Sequence, residues 1–170
     1  MNIRHVVLDS GLGPLTLVAT DDAVSGLYFR RHIRRPPAES LGPEVPVLED
    51  RLLADAATQV TEYLDGRRRE FDLPLAPAGD DVQHAVWDLV KEIPFGGTTT
   101  YGRIAERLGD RRRAWEVGQA VGANPLCIVV PCHRVVGSGG ALTGYAGGLK
   151  RKRALLELEE PAEVGAARLF

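Results

Sequence analysis

Two cysteines, Cys127 and Cys132, stand five positions apart, and the second is followed directly by His133 and Arg134. The thiolate is the reactive form of cysteine, and an imidazole or guanidinium beside it lowers its pKa. The apolar run Ile128 to Val130 feeds through Pro131 into Cys132, which would present a reactive side chain on rigid support. Neighbours in sequence often point apart, so His133 is a candidate base only if something orients it. The acidic candidates for that role are Glu157, Glu159 and Glu160 near the end of the chain. A Cys–His–Glu set would follow the general order of nucleophile, base and orienter. The plainer alternative is a buried free thiol. That reading is favoured for Cys127, inside Leu-Cys-Ile-Val, whereas for Cys132 the residues alone leave both readings open.

Disulfide and metal roles fit less well. The N-terminus MNIRHVVLDS has no signal-peptide core, which points to the cytoplasm, where a disulfide is disfavoured. Two cysteines need histidines to complete a zinc site, and His5, His32, His84 and His133 show no metal-ligand spacing. No metal is therefore expected.

The elements that would position these residues fall into two halves. The first half reads as strands at IRHVVLDS, GPLTLVATD and VSGLYFR, then a loop rich in Pro and Arg from Arg30 to Pro46. VLEDRLLADAATQVTEYLDG reads as an amphipathic helix with Leu48, Leu52, Ala56, Val60 and Leu64 on one stripe and Gly66 at its end. A linker-like stretch near residues 76–81 separates the halves. The second half offers a helix over DDVQHAVWDLVKEI, a short helix in TTTYGRIAERLG and another in DRRRAWEVGQAVGANP. The last two have the shape of a helix-turn-helix. LCIVV is expected to be a brief buried strand, GSGGALTGYAGG a glycine-rich loop and LKRKRALLELEE a closing helix.

The net charge of −2 conceals an asymmetry: residues 1–81 carry 9 Lys/Arg and 14 Asp/Glu, while residues 82–170 carry 12 and 9. A mildly basic second half is compatible with nucleic acid without requiring it.

PCHRV at 131–135, with Asn124-Pro125 ahead of it and GYAGG behind, resembles the O6-alkylguanine-DNA alkyltransferase family, the methylated-DNA–protein-cysteine methyltransferases. QHAVWDLVKEIPFGGTTTYGRIAERLG and GLKRKRALLELE are similar to further family segments, and YLDGRRREFDLPL and DSGLGPLTLVAT to its N-terminal domain. The resemblance covers most of the chain and is strongest over residues 83–159.

This resemblance implies an α/β protein. A small N-terminal α+β (RNase H-like) domain would occupy residues 1–80. A mostly helical, winged helix-turn-helix-like domain over 81–170 would bind DNA and hold the alkyl acceptor. One alkyl group would pass from O6 of guanine to the protein's own cysteine, irreversibly and without a cofactor, after the base flips out of the duplex. The implied partner is the minor groove of double-stranded DNA carrying O6-alkylguanine. The implied state is a monomer that can cluster on DNA, away from membranes.

Residue by residue, the resemblance makes Cys132 the acceptor, His133 a water-relayed base and Glu159 its orienter. Tyr101 would donate to the guanine ring, and Asn124 would brace the turn carrying the cysteine. Val135, Tyr145 and Ala146 would line the guanine pocket. Arg134 would pin structure around it, and Lys152 would face it unless it lies on a solvated face.

One departure concerns DNA. The family pattern Arg-Ala-Val-Gly reads Trp115-Glu116-Val117-Gly118 here, with Arg111 to Arg113 just upstream. Either Trp115 fills the gap left by the flipped base, or Arg113 or Arg112 does, or flipping is impaired; Gln119 and Ala120 would share the DNA face. Two other classes stay in view: a non-catalytic lesion-binding relative, which would lack the acceptor cysteine, and an unrelated cysteine hydrolase built on Cys132 and His133.

Overall fold

The computed structural model describes residues 1–160. The chain divides into two compact units. One comprises residues 1–79 together with 125–129; the other comprises, of the described residues, 80–124 and 130–160. The short return of residues 125–129 to the first unit has no counterpart in the composition of the sequence.

The first unit is built on an antiparallel sheet in the order β1 (Ile3–Leu8), β2 (Leu15–Thr20), β3 (Ala23–Phe29). The central strand is buried on both faces, with Leu15, Leu17 and Ala19 fully enclosed. The helix α1 (Arg51–Leu64) packs on this sheet through Leu53, Ala56, Ala57, Val60 and Tyr63. That face differs from the expected stripe. Asp50 caps the helix by accepting from the Leu53 backbone N at 3.0 Å, so Leu48 lies outside it and is 91 % exposed. Gln59 is buried on α1 with its polar atoms satisfied: its amide donates to Asp55 and the Asp72 carbonyl and accepts from the Asp72 N–H.

The second unit opens with α2 (Asp81–Lys91). Its start is fixed by a capping box, in which Asp80 accepts from the Gln83 backbone and Gln83 accepts from the Asp80 backbone. Buried Trp87 on α2 donates through Nε1 to the Ala120 carbonyl at 2.8 Å. The two-residue strand β4 (Thr99–Thr100) leads into α3 (Tyr101–Arg107), capped by the Thr100 hydroxyl. Gly109, at a left-handed φ of 102°, turns the chain, and α4 (Ala114–Gly122) follows one 3₁₀ turn later. The parallel strand β5 (Val135–Val136) pairs with β4, and α5 (Leu149–Leu158) closes the unit.

The expected strand over LCIVV is absent. Leu126 makes a single parallel bridge to Leu27, and residues 127–130 form turns with Ile128 at φ 75°. Among the described residues, no helix is long and apolar enough to cross a membrane.

Candidate active site and nucleic-acid interface

Cys132 opens a single 3₁₀ turn, Cys132–Arg134, which runs straight into β5. The pairing of β5 with β4 then sets this turn beside the start of α3, where Tyr101 sits. Cys132 is a buried thiol in no disulfide, 3 % exposed.

The two residues after it converge on one carboxylate. Glu159, the C-cap of α5, is 2 % exposed. It accepts from His133 Nε2 at 2.8 Å, from Arg134 Nε at 2.7 Å and from Arg134 Nη2 at 2.8 Å. Since a carboxylate can only accept, His133 carries its proton on Nε2, and its other nitrogen, Nδ1, presents a bare lone pair. Nδ1 is buried with no protein hydrogen-bond partner. Burial pushes the His133 imidazole below its ordinary value; the Glu159 hydrogen bond and charge oppose that without overcoming it, and Arg134 and Lys152 add to it. The resting state is therefore a neutral, oriented imidazole able to accept a proton at Nδ1.

Arg134 is expected to pin structure around the pocket, and its partners are protein groups. Besides its two bonds to Glu159, it donates through Nη1 to the Ile93 carbonyl at 2.7 Å and stacks over the Phe95 ring at 5.8 Å. The guanidinium is buried and fully engaged because an unpaired buried charge is costly. Gly96 lies next to this arrangement with φ 81°, and a Cβ there would meet the Glu159 carbonyl at 3.1 Å. Only glycine lets the 94–97 turn approach the end of α5 so closely.

Lys152 does not lie on a solvated face. It is fully buried and donates to the carbonyls of Val135 at 2.7 Å, Thr143 at 2.7 Å and Gly144 at 3.3 Å. Burial lowers its pKa to about 8, and the charge of nearby Cys132 partly opposes the shift. The Val135 carbonyl, expected to accept from guanine, already holds one bond from Lys152 and keeps its second lone pair. Lys152 thereby ties the glycine-rich loop to β5. Tyr145 and Ala146 on that loop are buried. The Thr143 hydroxyl reaches the Tyr101 hydroxyl at 3.5 Å, and the Tyr101 ring lies against Gly118 of α4. Asn124 is buried and donates through Nδ2 to the Val130 carbonyl at 2.9 Å, two residues before the cysteine.

The residues expected on DNA separate into two groups. Trp115 is 77 % exposed on α4, and Arg112 and Gln119 are exposed as well. Arg113 is half-buried and donates to Glu116 at 2.7 Å, so the charge of Glu116 is matched within the helix. Ala120 faces inward at 3 % exposure and its carbonyl accepts from Trp87, which removes it from the DNA-facing set. Arg112 rests on Asp110.

Sequence reasoning missed Ile93, Phe95 and Thr143, which reach the site through backbone carbonyls, a ring face and a loop; their types carry no signal for those roles. Lys152 did carry one. Lys152, Leu155 and Glu159 fall at i, i+3 and i+7 of α5, a single inward face. Cys127 is fully buried with its sulfur 4.0 Å from His32 Nε2. Among the described residues, no group of three or more His, Cys, Asp or Glu is placed to hold a metal ion.

Comparison with known proteins adds a second line of observation. Residues 81–161 match the family described as "6-O-methylguanine DNA methyltransferase, DNA binding domain", and residues 3–77 match its "ribonuclease-like domain". The chain is 39 % identical over 168 residues to the methylated-DNA–protein-cysteine methyltransferase of Mycobacterium bovis, covering 99 % of each. It is 40 % identical over 157 residues to that of Methanosarcina barkeri, covering 91 % of this chain and 95 % of the relative. The crystal structure of Mycobacterium tuberculosis OGT in complex with DNA superimposes with a TM-score of 0.83 at 39 % identity, covering 95 % of this chain and 97 % of the other.

Proposed function

The chain belongs to the 6-O-methylguanine DNA methyltransferase family, and we propose from that premise that Cys132 is the residue that takes the alkyl group. The activity is methylated-DNA–protein-cysteine methyl transfer: a group leaves O6 of guanine in DNA and becomes bonded to a cysteine of the protein. Each molecule acts once, because no step restores the thiol.

The observation that carries the assignment is the Glu159 carboxylate, which holds the His133 proton on Nε2 at 2.8 Å and leaves Nδ1 basic. In this reading a water relays the Cys132 proton to Nδ1. The thiolate attacks the alkyl carbon, the carbon–sulfur bond forms as the carbon–O6 bond breaks, and the electron pair stays on the guanine ring. Tyr101 donates its hydroxyl proton to the ring as that charge develops and regains one from the imidazolium side. The proton lost by the thiol thus ends on guanine, and the products are S-alkyl cysteine and the unmodified base. Asn124 braces the turn before Cys132, and Val135, Tyr145 and Ala146 enclose the base. Arg134 and Lys152 act as positioning residues, through Glu159 and through the loop.

To reach a buried sulfur the base has to leave the duplex, which costs a few kcal/mol of stacking. We assign the pair α3 and α4 as a helix-turn-helix that meets the minor groove. Trp115 supplies the side chain that fills the vacated stack, since Arg113 is engaged by Glu116. Arg112 and Gln119 contact the backbone beside it. Two thiols outside any disulfide suit a reducing compartment, the cytoplasm.

The test uses duplex DNA carrying O6-methylguanine labelled in the methyl group. Label should move to wild-type protein in a one-to-one burst, whereas Cys132→Ala should bind the duplex and acquire none. Tight binding of the lesion by the wild type with no label transferred would instead make the protein a lesion sensor.

A further inference from the structure

Between Cys127 and Cys132 the backbone makes two successive three-residue turns of opposite hand. In the second, the Cys132 N–H donates to the Val130 carbonyl at 2.7 Å with Pro131 at φ −79° and ψ 64°. That is the common inverse γ-turn, near an energy minimum and suited to proline. In the first, the Val129 N–H donates to the Cys127 carbonyl at 2.9 Å with Ile128 between them at φ 75°. This is the rare γ-turn of positive φ, which is strained. A β-branched residue in that region is an outlier.

Among the described residues, Asp21 and Arg34 are the other non-glycine positions with positive φ, and both are exposed. Ile128 is 1 % exposed. Strain of this kind persists only where the surroundings over-determine it. Here the chain is held on each side of the turn. Upstream, the Leu27 N–H donates to the Pro125 carbonyl at 2.8 Å, and Leu126 bridges Leu27. Downstream, Asn124 Nδ2 donates to the Val130 carbonyl at 2.9 Å. Glycine would adopt the same φ without strain. A buried isoleucine adds what glycine cannot, a side chain that locks the turn in one geometry.

We propose that the γ-turn centred on Ile128 is a positioning element for the acceptor: it fixes the direction in which Pro131 and Cys132 leave the turn, and hence where the Cys132 sulfur stands. Ile128 is a positioning residue that acts through the backbone and touches no reacting atom. The inference rests on the reading that Cys132 accepts the alkyl group.

The test compares wild type with Ile128→Gly, Ile128→Ala and Ile128→Val. Three quantities are measured: single-turnover methyl transfer at saturating O6-methylguanine duplex, affinity for the same duplex without the methyl group, and melting temperature. Ile128→Gly should transfer about tenfold more slowly or worse, because misplacement of the nucleophile acts on the chemical step, while its DNA affinity is unchanged. Ile128→Val, which keeps the branched side chain, should transfer close to the wild-type rate. Ile128→Gly should also melt no lower than Ile128→Ala, the reverse of the usual order, because only glycine relieves the positive φ. Wild-type transfer by Ile128→Gly, equal slowing by Ile128→Val, or a glycine variant melting below the alanine one would each overturn the proposal. If the wild-type protein transfers nothing, the acceptor reading fails instead, so the two failures are distinct.

Discussion

Replacing Glu159 by glutamine preserves the shape of the side chain and removes its charge. Three donors converge on that carboxylate, at 2.7, 2.8 and 2.8 Å, and glutamine can accept at only one of its two ends. If its oxygen stays with His133 and Arg134 Nη2, its amide faces Arg134 Nε, donor against donor. If it flips, the amide confronts His133 Nε2 and drives the imidazole proton onto Nδ1, the atom that has to accept. In either orientation the Arg134 guanidinium is left buried without a counter-charge. Breaking a buried pair this way costs about 3–5 kcal/mol. For a chain of this length that corresponds to a fall in melting temperature of roughly 6–20 °C. Methyl transfer well below the melting transition should slow by as much as the worth of a general base, about 10²–10⁴-fold. The two effects separate in a double variant. Adding Arg134→Met to Glu159→Gln removes the orphaned charge and should recover most of the melting temperature while leaving transfer slow. Calorimetry and single-turnover labelling read the two quantities independently. A Glu159→Gln protein that melts and transfers like wild type would refute the argument, as would a double variant whose transfer rate recovers along with its stability.

Trp115→Ala should slow transfer from duplex DNA roughly 5- to 150-fold, the equivalent of one stacked base at about 1–3 kcal/mol, and leave reaction with a free O6-alkylguanine base unchanged. Equal slowing in both assays would remove Trp115 from the flipping step. Trp87→Phe deletes the buried donor to the Ala120 carbonyl and should cost about 1–3 kcal/mol in chemical denaturation, with transfer by the folded fraction preserved. The pH dependence follows from His133. Its pKa lies below the ordinary histidine value of about 6.5 because burial outweighs Glu159, so its contribution to stability begins to be lost as pH falls below that value, while the folded protein keeps the neutral base until the pH reaches the lower folded value. Melting temperature should therefore begin to fall below about pH 6.5 and transfer rate only at more acid pH, and a transfer profile that already halves above pH 7 would contradict this.

How much of this could be seen in the sequence depended on which forces set each element. Alternation marked β1 to β3, and the Asp80 and Thr100 caps marked the starts of α2 and α3, because such caps act locally. The reactive pair and its carboxylate were legible in PCHR and in Glu159. The phase of α1 was not: an i, i+4 stripe through Leu48 ignores the stop that Asp50 imposes. The turn at 126–130 was also hidden, since a short apolar run is compatible with strand, helix or buried turn, and backbone bonds at Cys127 and Val130 decide the matter. The partners of Arg134 and Lys152 were not legible, for a common reason. Both are buried by partners distant in sequence, Glu159 with Ile93 for one and the carbonyls of Val135, Thr143 and Gly144 for the other.

The central claim is that one particular sulfur is the acceptor, and Cys127 is its internal control. After one turnover on a duplex carrying O6-methylguanine, the protein is digested and its peptides are weighed. The account predicts a single methyl group on Cys132, with Cys127 unmodified and no methyl gained by Cys132→Ala. Methyl on Cys127, or on any residue of the Cys132→Ala protein, would contradict it.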